Sequence, residues 1–313
     1  MYFPTAGIEV SPWVPVLVAF AVSFFTSMGG VSGAFLLLPF QMSFLGYTSP
    51  SVSATNQLFN IVAIPSGVYR YVREQRMVWP LTWVVICGTL PGVFIGAVVR
   101  IQLLPDPRTF KLFAALVLLY IGAKMIKDLQ AGRRPRQRTS GSGTEQPWLG
   151  SSGKPGKDTP VASVQVTAFS LRHIGYTFRG QDHLAPTPGI FALSLVVGVV
   201  GGIYGIGGGS IIAPFFVTFF GLPVHTVAGA ALMGTFVTSV AGVLFFQLIA
   251  PLYPGLAVAP DWLLGLLFGL GGMAGMYLGA RCQKHVPAAA IKLMLTAVIL
   301  ITAAKYVLDY FSG

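Results

Sequence analysis

Ten apolar segments, nearly free of charge, succeed one another along this chain: 12–27, 32–46, 50–72, 79–100 and 109–129, then 189–202, 208–221, 224–250, 262–282 and 288–308. Lipid offers a backbone no hydrogen bonds, so only helices and closed barrels satisfy their own N–H and C=O groups there. These segments exceed the roughly 10 residues of a barrel strand and approach the roughly 20 of a spanning helix. A multi-pass α-helical membrane protein is therefore the expected fold class. At 54% hydrophobic and 9% charged residues, the chain lies far from the roughly 45–50% and 25% of soluble domains. The N-terminus lacks the Lys or Arg of a signal-peptide n-region and carries only Glu9 ahead of the first run, so that run is expected to be retained.

The second five segments repeat the first five. At an offset of 175, Gly30, Gly33, Pro39, Phe40, Gly46, Val52 and Gly67 meet Gly205, Gly208, Pro214, Phe215, Gly221, Val227 and Gly242. At 183, Trp79, Gly88, Gly92, Gly96 and Ala97 meet Trp262, Gly271, Gly275, Gly279 and Ala280. At 181, Lys111-Leu112 and Ala123-Lys124 meet Lys292-Leu293 and Ala304-Lys305. Chance apolar similarity does not keep glycines and lysines in step. The expected organisation is an N-terminal transmembrane repeat (1–129), a linker (130–187) and a C-terminal repeat (188–313), each repeat being a glycine-broken first helical pair plus three transmembrane helices.

Charge orients the repeats. The stretch 124–188 holds ten Lys/Arg against four Asp/Glu, six of the net +11. Together with 70–76 and 281–285 it makes three basic segments, and cytoplasmic loops collect Lys and Arg. All three share one side if the first two segments of each half return to the side they started from, whether as a half-membrane hairpin or as two full spans. Both termini then lie outside, the linker lies in the cytoplasm, and the two halves have inverted topology. Within the linker, 137–160 is rich in Ser, Gly, Pro and Lys, as flexible tethers are, while 161–179 alternates like a short hairpin. No nucleic-acid module accompanies the basic charge.

The glycine clusters at the breaks carry the strongest motif: Met28-Gly29-Gly30-Val31-Ser32-Gly33 and Gly205-Ile206-Gly207-Gly208-Gly209-Ser210. Glycine frees the backbone from helix geometry. Unwound backbone at membrane depth is tolerated where protein or a cavity surrounds it, and the half-helix that follows points a positive dipole end inward. Two such ends make an anion site without a charged side chain. The same spacing also serves close helix packing. Candidate ligands from the breaks are Gly30, Ser32, Gly33, Gly207, Gly208, Gly209 and Ser210.

On these motifs the chain resembles the TauE/SafE-type sulfite exporter family, also called TSUP. The resemblance spans essentially the whole chain: the duplicated halves, Gly-x-Gly-Gly-Gly followed by proline in 205–214, its degenerate copy in 30–39, and the basic linker. The first copy departs from the pattern, with Ser32 and Ala34 where the second has Gly207 and Gly209. The resemblance implies transport of sulfite or a related small sulfur-containing or organic anion between the halves, in a cell inner membrane.

A polar layer is the other candidate: Ser53, Thr55, Asn56, Gln57 and Asn60 in the third segment, and Thr235, Thr238 and Ser239 in its repeat mate. Intramembrane amides are costly unless they face protein or water. The layer is lopsided, since Ser53, Asn56 and Asn60 correspond to Ala228, Ala231 and Thr235. Arg70 and Arg73, further along the same segment, would attract an anion or simply mark the inside. Arg100, Lys124, Arg281 and Lys305 are expected to snorkel to the interface, and His225 to sit there too. Cys87 and Cys282 read as buried spectators.

All nine acidic residues fall in loops or at segment ends, and no histidine or carboxylate pair is placed for catalysis, so neither an enzyme, a metal nor a cofactor is expected. An exported anion needs no buried carboxylate, because an inside-negative potential drives it out by roughly 2.3 kcal/mol per charge per 100 mV. Potential-driven export with alternating access is the leading reading. The alternatives are an ion-coupled importer of thiosulfate or another small anion, and a non-transporting membrane sensor or scaffold. The expected partners are a small anion and the lipid bilayer.

Overall fold

A computed structural model describes residues 1–29, 32–73, 75, 77–133, 165–178, 181–282 and 288–312. Gly30, Val31 and the segments 134–164 and 283–287, which include the expected tether 137–160, lie outside the described residues. A hairpin of β1 (Tyr2–Phe3) and β2 (Ile8–Glu9) precedes α1 (Trp13–Gly29), α2 (Ala34–Ser43), α3 (Ser51–Ala63), α4 (Pro65–Arg73), α5 (Trp79–Gln102) and α6 (Pro107–Arg133). Strands β3 (Gln165–Phe169), β4 (His173–Phe178) and β5 (Gln181–Pro186) form an antiparallel sheet in that order; β3 and β4 are the hairpin expected within 161–179, and β5 lies beyond that span. The second set of helices is α7 (Thr187–Tyr204), α8 (Ile212–Phe220), α9 (Val224–Ile249), α10 (Trp262–Cys282) and α11 (Ala288–Ser312). Among the described residues six helical stretches are long and apolar enough to cross a membrane, on α5, α6, α7, α9, α10 and α11.

Local chemistry sets the ends. Asp261 starts α10, its Oδ1 accepting from Leu264 N at 3.0 Å, and Asp106 starts α6, accepting from Thr109 N at 3.0 Å. That bond from the Thr109 N–H is the main reason the Asp106 carboxyl titrates below its ordinary range. Prolines occupy the first turns of α5 and α7, where no intrahelical N–H bond is lost. The third segment of the first half is split at Pro65, which has no N–H to donate; its counterpart in the unbroken α9 is Val240.

Contacts between helices follow the duplication, crosswise. The two most extensive are α5 with α7 and α1 with α10, so the first apolar segment of each half packs on the fourth segment of the other. A Cβ added at Gly88, Gly92 or Gly96 of α5 would meet, in turn, Ser194 and Phe191, Leu195 and Val199, then Val199 and Ile203 of α7. At Gly271, Gly275 and Gly279 of α10 it would meet Val16, Phe20 and Phe24 of α1. Glycine repeats at helical spacing let two backbones touch. Both series rise together, so each pair is parallel.

The same proximities give the remaining directions. Gly265 and Gly269 of α10 face Leu58 and Val62 of α3, so α1, α3 and α10 run one way, and α2 is the return of a hairpin. In the second half, α9 runs parallel to α5, with Gly234 on Val85 and Phe245 on Phe94 at 4.9 Å between centroids. Thus α5, α7 and α9 share a direction, and α8 returns. At 10 and 9 residues, α2 and α8 are only about 15 Å long, half the depth of a bilayer core. Two helices also meet their own repeat mates. Gln57 of α3 faces Gly242 of α9, and Tyr71 of α4 faces Gly229. Lys111 of α6 pairs with Asp309 of α11 at 3.4 Å, while Gly122 faces Leu300. Both of these pairs are antiparallel.

Valine at Gly92 or Gly275 would place its Cβ 2.4 Å from Leu195 O or 2.2 Å from Phe20 O, and backbone cannot step aside. Each substitution is expected to destabilise the protein by ~1–3 kcal/mol or more, read as earlier thermal unfolding in detergent. Gly255→Ala, with nothing within 4 Å of the new Cβ, should unfold with the parent.

Candidate functional site

Helix α3 carries four of its polar residues on one face. At about 100° per residue, Ser53, Asn56, Gln57 and Asn60 share a stripe, while Thr55 points the opposite way. All five are 0% exposed, as are Thr235, Thr238 and Ser239 of α9. The stripe lies where α3 meets α9 and the two breaks, and it is sealed from both ends of the bundle.

The second break is held by side chains. Helix α7 ends at Gly205, whose φ of 80° and contact with Ser53 O exclude a side chain. Unwinding frees the carbonyls of Ile203 and Ile206. Ser53 Oγ donates to Ile203 O at 2.9 Å and Asn60 Nδ2 to Ile206 O at 3.0 Å; Ser210 Oγ also donates to Ile206 O, at 2.6 Å. The Gly208 N–H donates to Thr238 Oγ1 at 3.0 Å. Thr235 Oγ1 donates to Ala231 O at 2.8 Å and Thr238 Oγ1 to Gly234 O at 2.6 Å. The first turns of α2 and α8 retain amides with no acceptor in their own helices, which is where an anion's charge finds a favourable dipole end.

The first break is built differently. Asn56 Nδ2 donates to Ala34 O at 3.1 Å, and Asn56 Oδ1 accepts from Gln41 Nε2 at 3.4 Å. In the second half Ala231 stands for Asn56, and the start of α8 closes onto α9: a Cβ at Gly209 would lie 2.0 Å from Ala231 O. The departure of the first motif from the second therefore has a cause. An asparagine side chain holds α2 off α3 and leaves room for Ala34, whereas alanine lets the backbones meet and demands Gly209. Pro39 inside α2 also removes the N–H that would reach Phe35 O, and Tyr204 Oη donates there instead at 2.9 Å, joining the halves.

Several buried polar atoms of this region have no partner: Ser23 Oγ, Gln41 Oε1, Asn60 Oδ1, and both Oε1 and Nε2 of Gln57. Such atoms cost about 1–3 kcal/mol each when left unsatisfied. Ser23 and Gln41, like the packing of Thr89 on Gly208, are additions to the residues expected from sequence; Gln41 was signalled only by an amide within an apolar segment.

Other expected residues are placed elsewhere. Thr55 Oγ1 accepts from Asp261 N at 2.9 Å and bonds Tyr47 Oη at 2.8 Å, which also bonds Ser51 Oγ; burial pushes the Tyr47 phenol well above its ordinary range. Thr55 thus fastens the start of α3 to that of α10 and does not join the stripe, because helical periodicity turns it away. Ser32 is buried and its carbonyl accepts from Phe35 N at 3.3 Å. Gly33 fits against Ser23, leaving 2.9 Å to its Oγ for an added Cβ. Gly207 fits against Thr235 and Ser239 in the same way. Gly30 and the side chains of Arg70 and His225 lie outside the description. Arg73 is exposed at the end of α4, about 20 Å along the helix path from Asn60.

Arg100 does not snorkel. It is 0% exposed, donates to Thr48 O at 3.1 Å and to Leu104 O, and stacks 3.7 Å over Phe110: the turn after α5 folds over it. Cys87 is exposed and Cys282 intermediate, so neither is buried. Cys87 helps line an apolar groove of about 430 Å³ with Trp83, Phe169, Leu171 and Phe191, which shares no lining residue with the polar stripe. Among the described residues no group of three His, Cys, Asp or Glu could hold a metal.

A family model described as "Sulfite exporter TauE/SafE" matches residues 16–306. A similar curated protein is "Probable membrane transporter protein YunE" of Bacillus subtilis (strain 168), 21% identical over 290 residues that cover 90% of this chain and 92% of that one. No solved structure matches.

The unequal breaks give a paired expectation. Gly209→Ala drives a Cβ into backbone and should cost ~1–3 kcal/mol with loss of activity, whereas Ala34→Gly should cost no more than about 1 kcal/mol. Unfolding temperatures of the two variants in detergent check this.

Proposed function

Because the chain belongs to the sulfite exporter TauE/SafE family, we propose that this multi-pass membrane protein is a transporter that moves a small sulfur-containing anion, sulfite or an organosulfonate, out of the cell. The observation that carries this reading is the buried stripe of α3, with unpartnered amides beside two glycine breaks and no carboxylate in the layer. Amide N–H groups and helix N-termini favour negative charge without fixing a counter-charge. The anion would rest between α3, α9 and the breaks, held chiefly by Gln57 and the first turns of α2 and α8.

Two features support alternating access. Helices α3 and α9, and α6 and α11, are repeat mates that meet antiparallel, as two halves related by an axis in the membrane plane would. Rocking one half against the other would then open the sealed layer to each side in turn. One end is closed by the contacts of Tyr47, Ser51 and Thr55 with residues 257–261, where Ser51 N donates to Ala257 O at 3.0 Å. The other has Tyr176 Oη bonded to Thr226 at 2.7 Å, tying the sheet to α9. The ends of α4, α6 and α10 share that second face, and their basic residues support a cytoplasmic orientation for it; both termini would then lie outside and the strands and linker inside. A domain division at 1–129, 130–187 and 188–313 is compatible with this arrangement, although α6 itself continues to Arg133. Export down the membrane potential needs no coupling ion.

Purified protein in liposomes should carry labelled sulfite outward from its cytoplasmic face, faster when that face is made negative. The roughly 2.3 kcal/mol per charge at 100 mV allows up to about a 50-fold difference in driving force. Flux no faster than in empty liposomes for sulfite, thiosulfate and sulfoacetate would reject transport; flux that requires sodium or a proton gradient would favour a coupled importer.

A further inference from the structure

The turn between β3 and β4 pairs its polar groups and leaves its apolar side chains outside. Ser170 N donates to His173 O at 2.9 Å, and Ser170 Oγ accepts from Arg172 N at 3.3 Å and from His173 N at 3.0 Å. Thr187, the first residue of α7, donates its N–H to Arg172 O at 3.0 Å and its hydroxyl to Ser170 O at 2.9 Å. The backbone N–H and C=O groups of Ser170, Arg172 and His173 are thus all engaged. Between them Leu171 is 89% exposed, and Phe169, at the end of β3, is 60% exposed. Phe169 pairs with Ile174, and Ile174 with Ala185. Directly paired residues share a face, and this one, with Ile174, Tyr176 and Ala185 buried, meets α9 through Tyr176. Phe169 continues that apolar face past the edge of the bundle.

Phe169 and Leu171 form one wall of the apolar groove, and Trp83 and Cys87 of α5 with Phe191 of α7 form the others. Both helices are long and apolar enough to span. The groove runs on into their outer surface: Trp83, Cys87, Pro91 and Ile95 are exposed at every fourth residue of α5, as are Phe191 and Val196 on α7. Its open side therefore faces hydrocarbon. Trp79 and Trp83 begin α5 as an interfacial aromatic belt would, and Cys87 lies eight residues beyond Trp79, about 12 Å further along the helix. A turn that shares a groove with Cys87 stands at the edge of the leaflet. Irregular backbone is tolerated there only with its polar groups paired, which Ser170 and Thr187 provide.

At about 430 Å³ the groove falls within the roughly 300–1,000 Å³ of ligand sites. The Thr187 hydroxyl in its lining is already engaged, so the lining offers apolar contact. Arg172, next to Leu171, is exposed and puts a cation beside it. We propose that the groove binds an anionic phospholipid of the adjoining leaflet, one acyl chain lying between Trp83, Cys87, Phe191 and the turn, with the headgroup phosphate at Arg172. The three-stranded sheet is then an interfacial element resting on lipid. An anionic headgroup gains about fivefold over a zwitterionic one from a single arginine at the surface. The site requires the bilayer and does not depend on what the bundle carries.

Photo-crosslinking of the full-length protein in liposomes tests this, with phosphatidylglycerol and phosphatidylcholine probes that carry a diazirine on one acyl chain and adducts mapped by mass spectrometry. Adducts at Trp83, Cys87, Phe169, Leu171 and Phe191 should be about fivefold more frequent with the phosphatidylglycerol probe. Ile301, exposed on α11, should show no such preference. In Arg172→Gln, an exposed position, the two probes should label the groove equally while Ile301 is unchanged. Equal labelling of the groove by both probes in the parent protein, or a preference that survives Arg172→Gln, overturns the proposal. So does labelling of Phe169 and Leu171 by a water-soluble diazirine in place of the lipid probes, which would put the turn in water or under a protein partner.

Discussion

Backbone unwound inside an apolar bundle must find hydrogen-bond partners, and the rest of this structure depends on how that need is met. Each glycine cluster interrupts a helix at a depth where water is excluded, releasing carbonyls and amides that cost several kcal/mol each if unpaired in lipid. Ser53 and Asn60 of α3, with Ser210 and Thr238, meet released groups of the second break, and Asn56 bonds the first carbonyl of α2 beside the other. The same side chains therefore stabilise the breaks and furnish the polar layer. That double use explains how a chain with no carboxylate in this layer keeps a hydrophilic centre.

Crosswise packing holds the centre in place. Because α1 rests on α10 and α7 on α5 through glycine stripes, the polar layer lies where the two halves interlock. The halves differ where it matters chemically. Asn56 props one break open, while Ala231 allows the other to close around Gly209. The unpaired atoms of the layer are those of α3 and its neighbours Ser23 and Gln41, so the anion-holding role proposed here falls more heavily on the first half.

Much of this was legible in the sequence, for physical reasons. Apolar runs in lipid can only be helices, glycines kept in register betray duplication, and amides within apolar segments must face inward. Other parts were not. The stripes at Gly88, Gly92, Gly96 and at Gly271, Gly275, Gly279 announce close packing but not the partner, which is set by tertiary geometry. Thr55 belongs by composition with Asn56 and Gln57, yet one residue of helix turns it to Tyr47 and Asp261. Arg100 sits near a segment end like other snorkelling cations, but carbonyls of Thr48 and Leu104 and the ring of Phe110 envelop it. The substitution of Gly207 and Gly209 by Ser32 and Ala34 becomes intelligible at position 34 only with the Asn56 side chain in view.

The most direct measurement is a structure determined with a scattering-rich analogue of the anion, selenite, bound in a lipid nanodisc. The account predicts selenium density between α3, α9 and the two breaks, within hydrogen-bonding reach of Gln57 and of Gln41 or Asn60. Density at Arg100 or along the basic ends, with the amide layer unchanged, would contradict it.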